Sequence, residues 1–373
     1  MSLSRRTFLQ QASVISTLSL AGLPYAVRAE NANEYWWSAG SDHSDGNGVA
    51  VFSDKGNSRL LETGFRGHGL CVSPDDGRIV MMARRPGMQG AELMADQNLT
   101  LFDVRPGRQF QGHACFSADG ARLFTSEIVD SGDGRIGIRN AHDFSWLGEF
   151  SSYGTEPHEI KMMPDGVTLA IANGGLTPSA DDGRTADKNA LVQSSLVFID
   201  SRDGRLIHKY SLPENKASIR HLDIAPDGTL VTALQVQRQW LDDTEPRALV
   251  AIRRPDEPLQ LLEAPGNLWL ALRDYMGSVV IHPDYGVAGV TSPRGNLVVF
   301  WELSQGKLLG YFPLHDVCGI ALSQQHDCFV VTNSAGDMRF IDPVSLKELK
   351  PLRRHSDTVR WDNHLLGPLP VSV

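Results

Sequence analysis

Alternating apolar and polar positions return along this chain at intervals of roughly 40–60 residues, each run ending in a turn rich in Asp and Gly. The clearest copy is G-H-G-L-C-V-S-P-D-D-G at Gly67–Gly77; reworded copies stand at Gly112–Gly120, Pro157–Gly166, Arg220–Gly228, Gly277–Gly286 and Cys318–Asp327. Aligned on the serine of S-P-D-G or its replacement (Ser73, Ser117, Met163, Ala225, His282, Ser323), the copies lie 44, 46, 62, 57 and 41 residues apart. One and three residues before the anchor the side chain is apolar every time, as in Val72 and Leu70 or Met162 and Ile160. A period of two predicts a β-strand with that face buried against a neighbour. A second β-rich run follows each turn, for example Arg78–Ala83, Arg122–Ser126 and Thr168–Ala172, and a third is expected at Leu99–Asp103, Ser195–Asp200, Asn296–Trp301 and Asp337–Asp342.

Each unit therefore reads as a four-stranded antiparallel sheet, and six units span residues 66–351. Strands within Glu34–Phe65 and the tail Thr358–Leu366 supply a seventh. The predicted fold is all-β: a seven-bladed β-propeller whose ring is closed by strands from both termini, which leaves no open sheet edge. Residues 1–29 read as a twin-arginine signal peptide, with Ser4–Gln10 carrying the motif, Ala12–Ala26 the apolar stretch and Ala29 the cut. Residues 30–373 are then a single propeller domain, expected in the periplasm. No later segment reaches the ~18 apolar residues of a spanning helix. A net charge of −9 without a Lys/Arg cluster argues against nucleic acid or anionic lipid as partner, and a monomer is expected. The four cysteines, Cys71, Cys115, Cys318 and Cys328, form no C-x-x-C pair; Cys71 and Cys115 hold equivalent repeat positions, either as a disulfide or as two small buried residues.

Histidine recurs at one phase of the repeat. His68 and His158 stand five residues before their anchors, and His113 and His221 stand four before theirs. In a propeller the first strand of each blade lines the central channel, so these four would converge on one channel mouth. Glu159, Arg220, Asp223 and Asp316 would stand close by. Imidazoles from separate strands suit iron, copper or zinc, and the carboxylates of Glu159 and Asp223 would ligate or orient the rings. A shared ancestral repeat bearing His would give the same pattern without a metal. His282 replaces a turn serine, and His315 precedes a first strand. His43, His326, His355 and His364 share no phase and read as exposed loop residues. Arg294, in T-S-P-R-G-N, stands where it could bind an anion or simply close a hairpin. The long polar segment Asn173–Asn189 interrupts the third unit and is a candidate partner-binding loop. No nucleophile elbow, H-E-x-x-H, phosphate-binding loop or dinucleotide fingerprint is present.

The stretches G-T-E-P-H-E-I (Gly154–Ile160), A-N-G-G (Ala172–Gly175), I-R-H-L (Ile219–Leu222), T-S-P-R-G-N (Thr291–Asn296) and D-V-C-G-I-A (Asp316–Ala321) resemble an uncharacterised family of twin-arginine-exported propellers found beside imelysin-type periplasmic iron-uptake proteins. More distantly the chain resembles YVTN-type propellers, including that of nitrous oxide reductase, whose paired P-H-H it lacks. The resemblance implies a periplasmic role in iron or copper handling, with iron-uptake or redox proteins as partners. The expectation is thus a propeller holding iron or copper at His68, His113, His158 and His221, accessory to metal uptake or redox handling. The alternatives are a protein-docking scaffold using Asn173–Asn189, and a metal-assisted hydrolase of the lactonase type with Glu159 as base.

Overall fold

The computed structural model describes residues 33–93, 99–176, 192–212, 216–236, 238 and 244–369. The expected signal segment, and the Asn173–Asn189 insertion beyond Leu176, lie outside the described residues. Seven antiparallel sheets form the ring of a β-propeller. Blades 1 to 6 begin with the channel-side strands Gly67–Val72, Arg108–Phe116, Pro157–Met162, Ala217–Ile224, Ser278–His282 and Val317–Ser323. Each second strand falls on a β-rich run identified from the sequence, as with Ile79–Ala83, Arg122–Val129 and Thr168–Asn173. One strand is misplaced: Leu99–Asp103 is the outermost strand of blade 1, and the third is Gln89–Leu93. Its run Q-G-A-E-L holds two small residues and too little β-branched or aromatic character to announce a strand.

The turns follow from their chemistry. In blade 2, Ser117 Oγ accepts from the Arg122 N–H at 2.9 Å and donates to Asp119 Oδ1, while Gly120 takes φ +68°. The last repeat has Asp327 in the glycine position, at φ +51°, a conformation Asp tolerates better than most residues. The 57-residue interval contains a short helix, Gly266–Ala271, whose Trp269 stacks on Trp301 at 5.9 Å.

Apolar faces lock neighbouring blades together. Phe124 and Ile136 of blade 2 pack with Ile171 and Val197 of blade 3, all without solvent exposure, and comparable clusters fill the other interfaces around the ring. Burying each such side chain stabilises the fold by about 1.5–3 kcal/mol. The closing blade combines Tyr35–Ser41, Asn47–Ser53 and Ser58–Glu62 with the tail, whose short strands Arg360–Trp361 and Leu366–Leu369 both pair with Tyr35–Ser41. Trp361 seals the joint, packed edge-on against Phe52 at 5.6 Å. All four cysteines are free, so Cys71 and Cys115 are the small apolar residues of the second alternative; burial drives both thiols upward, Cys115 to about 12.

Candidate metal centre

In a regular strand, residues five and four before the anchor would face opposite sides. Bulges remove that conflict. In blade 1 the pairing runs from Gly67↔Ala83 to Leu70↔Met81, so His68 and Gly69 together oppose one residue. Blade 3 repeats this with His158 and Glu159 between Pro157↔Asn173 and Ile160↔Ile171. Blade 2 carries its irregularity between Phe110 and Ala114, just before and at His113, and blade 4 between Ile219 and His221. An extra residue kinks the strand and turns its side chains anew. The pairing of Ser278–His282 in blade 5 is regular, and that strand offers no histidine above its turn.

The four predicted histidines do converge. Their candidate donor atoms all lie within 4.8 Å of one another, and all four residues are buried. Ring centroids are 4.8 Å apart for His68–His113, 4.9 Å for His113–His158 and 4.8 Å for His158–His221. A metal with imidazole bonds of ~2.0–2.1 Å needs opposed donors about 4.1 Å apart, so small ring rotations would close the set. A fifth ring joins them. His364 lies 4.7, 4.9 and 4.3 Å from His68, His113 and His221, centroid to centroid. Its Nδ1 is 3.4 Å from Ser278 Oγ, and its Nε2 is buried without a hydrogen-bond partner. Nitrogens of the other four (Nδ1 of His68, His158 and His221, Nε2 of His113) are equally buried and unsatisfied within the protein. Such orphaned acceptors and donors are costly unless something binds them.

Burial holds all five imidazoles below their ordinary pKa of 6.5. Neighbouring rings add to this at His68 and His221, and Arg220 adds to it at His158. The rings are therefore neutral near pH 7, the form that donates a lone pair to a metal.

Of the predicted helpers, Glu159 reaches the cluster. Its Oε2 accepts the Leu222 N–H at 3.0 Å and stands 3.3 Å from His221 Nδ1, without the alignment of a hydrogen bond. Burial pushes this carboxyl up, but Lys161, 3.6 Å away, together with His113, His364 and the Leu222 N–H more than offsets that and keeps it below its usual range. Asp223 does not meet a histidine: its oxygens accept from Lys161 Nζ at 2.9 Å and the Ile281 N–H at 2.7 Å. Glu159, His113 and His364 border a cavity of about 210 Å³ on one side of the rings. His68, His158 and His221 floor a wider one of about 720 Å³ on the other, walled by Arg220, Arg294 and Asp316. Glu159 thus lies away from the wide mouth, a poor position for a base serving a substrate that enters there. His315 is exposed, and Asp316 accepts a hydrogen bond from Ser334 Oγ.

A family profile described as "Protein of unknown function (DUF1513)" matches residues 61–367. The chain belongs to DUF1513. No curated protein matches it in sequence. Among solved structures, hydrazine synthase from Kuenenia stuttgartiensis aligns with a TM-score of 0.56 over 83% of this chain and 89% of that one. At 12% identity this likeness is one of fold alone.

Two site residues of this DUF1513 member escape a sequence-only search. His364 sits where the tail swells away from Tyr35–Ser41 between its two pairings, in the closing blade's share of the channel. N-H-L at 363–365 echoes R-H-L at 220–222, but no Asp-Gly turn follows to reveal the repeat. Glu156, fully buried at φ +54°, takes a salt bridge from Arg85 and another from Arg220 Nη1 at 2.6 Å. It precedes the strand, outside the alternation that marks channel positions.

Proposed function

We propose that this protein is a periplasmic β-propeller that binds one transition-metal ion, iron or copper, in its channel, and serves metal uptake or redox handling. His68, His113, His158 and His221 would be ligands, with His364 completing the set and the Glu159 carboxylate beside His221 Nδ1. The observation that carries this is a group of five neutral imidazoles from five different blades, four of them buried and His364 half-buried, each with a buried nitrogen that makes no hydrogen bond among the described residues. Packing alone gives no reason to gather five such rings, because each unpaired polar atom costs about 1–3 kcal/mol. An all-imidazole set suits copper, iron or zinc. Export by the twin-arginine route would fit the motif at Ser4–Gln10.

Elemental analysis of untagged full-length protein, purified without chelator, tests this. About one equivalent of iron or copper is expected, falling severalfold in His158→Gln and His364→Gln variants whose circular dichroism matches the parent. Absence of metal after reconstitution with Fe²⁺, Cu²⁺ and Zn²⁺, or unchanged content in both variants, would refute the site.

A further inference from the structure

The wide cavity over the histidines is more basic than the chain that carries it. Six arginines line it (Arg66, Arg84, Arg85, Arg220, Arg294 and Arg360) against three aspartates, in a protein of net charge −9. Several of these charges are already met. Arg66 pairs with Asp362 at 2.7 Å, Arg85 and Arg220 share Glu156, and Arg360 contacts His43 Nδ1 at 3.2 Å. One carboxylate between two guanidiniums still leaves a positive excess. Arg220 is 4% exposed, and burial pushes it down to about 10; burial lowers Arg85 too, and Arg220 beside it adds to that.

Arg84 and Arg294 differ from the rest: both face the cavity, both are exposed, and neither side chain has a hydrogen bond or ion pair among the described residues. Arg294 lies over the ring of Tyr275 at 4.9 Å, which fixes its guanidinium at the rim. The Tyr275 hydroxyl accepts from Asn363 Nδ2 at 2.8 Å, so its own proton is available to the cavity it lines. A cavity of about 720 Å³ falls within the ~300–1,000 Å³ range of small-molecule sites.

We propose that this mouth binds a small ligand bearing two or more oxyanion groups, carboxylate or phosphate, held by Arg84, Arg294 and Tyr275 at the rim and by the Arg85–Glu156–Arg220 array on the wall. The planar guanidinium fork matches both oxyanions in a bidentate manner, and the single oxygen Glu156 Oε1 takes only one contact from each guanidinium of the array. A ligand so held would have one end above His68, His158 and His221, within reach of whatever those rings bind.

Titration calorimetry on metal-depleted, desalted full-length protein tests the site independently of the metal reading. Citrate and inorganic pyrophosphate are the probes, and mannitol is the uncharged control. At least one anion is expected to bind with Kd below about 1 mM and to weaken tenfold or more in Arg84→Gln/Arg294→Gln. These side chains are exposed, so the melting temperature should hold. Binding of citrate alone would identify a carboxylate site, and of pyrophosphate alone a phosphate site. No heat from either anion, equal binding of mannitol, or an unchanged Kd in the double variant would overturn the proposal.

Discussion

Two glycines set how closely the imidazoles approach one another. A Cβ on Gly69 would stand 2.5 Å from His113 Nδ1 and 2.6 Å from the Gly112 carbonyl oxygen. A Cβ on Gly112 would stand 2.7 Å from His68 Cδ2, on a backbone at φ +102° that disfavours any other residue. Gly69→Ala should therefore leave a folded propeller, destabilised by about 1–3 kcal/mol through overpacking, that has lost most of its metal. Denaturant unfolding together with metal content per chain checks this; full metal occupancy would show that the spacing between His68 and His113 is immaterial. At this scale the sequence revealed which residue type gathers but not how. His68 and His158 occur one position out of phase with His113 and His221, and only the bulges, which leave no mark in composition, bring both phases to one side. The basic mouth was hidden for a different reason. Arg84 follows a second strand, Arg220 lies on a first strand and Arg294 in a turn, so no single repeat position unites them.

Among the elements, the closing blade departs most from the others. Its channel-side strand is two short pieces, and the residues between them supply His364, whereas blades 1 to 4 hold their histidines on strands followed by an Asp-Gly turn. The β-rich runs Y-W-W-S-A-G and T-V-R-W-D predict correctly that both segments enter the closing sheet. The tail is too short to show a phase, which is why His364 reads as a loop residue. Trp361 is 2% exposed between Phe52 and the neighbouring blade's apolar cluster, so Trp361→Ala should cost about 3–5 kcal/mol. The loss should also weaken metal retention, since Asp362, Asn363 and His364 follow directly. Urea unfolding of the metal-free variant measures the first effect and competition with a chelating dye the second. A stability change under about 1 kcal/mol would mean that the joint is held chiefly by the Leu366–Leu369 pairing.

Over the whole molecule, five neutral imidazoles make the metal-free fold sensitive to acid. Burial lowers each folded pKa below the 6.5 of the unfolded chain, so below about pH 6.5 the unfolded state takes up protons that the native state refuses. Stability then falls as pH falls, by up to ~1.4 kcal/mol per pH unit for each ring, until the folded pKa values are reached. The urea midpoint of metal-free protein should drop clearly between pH 7.5 and 5.5, and the drop should shrink when the five histidines are reduced to four by His364→Gln. A midpoint constant across that interval would contradict the burial of these rings. The ring closure has a consequence in time as well. Tyr35 pairs with Leu369, and the fifth imidazole, His364, follows the fourth, His221, by 143 residues. During synthesis from the N-terminus, blades 1 to 4 and their four histidines emerge long before the residues that shut the ring. Until residues 360–369 leave the ribosome the cluster lacks both its fifth member and its lateral wall. A chain whose residues 360–369 have not yet docked would present an open arc of sheets to solvent, so the pairing of this segment with Tyr35–Ser41 is itself the step that creates the site.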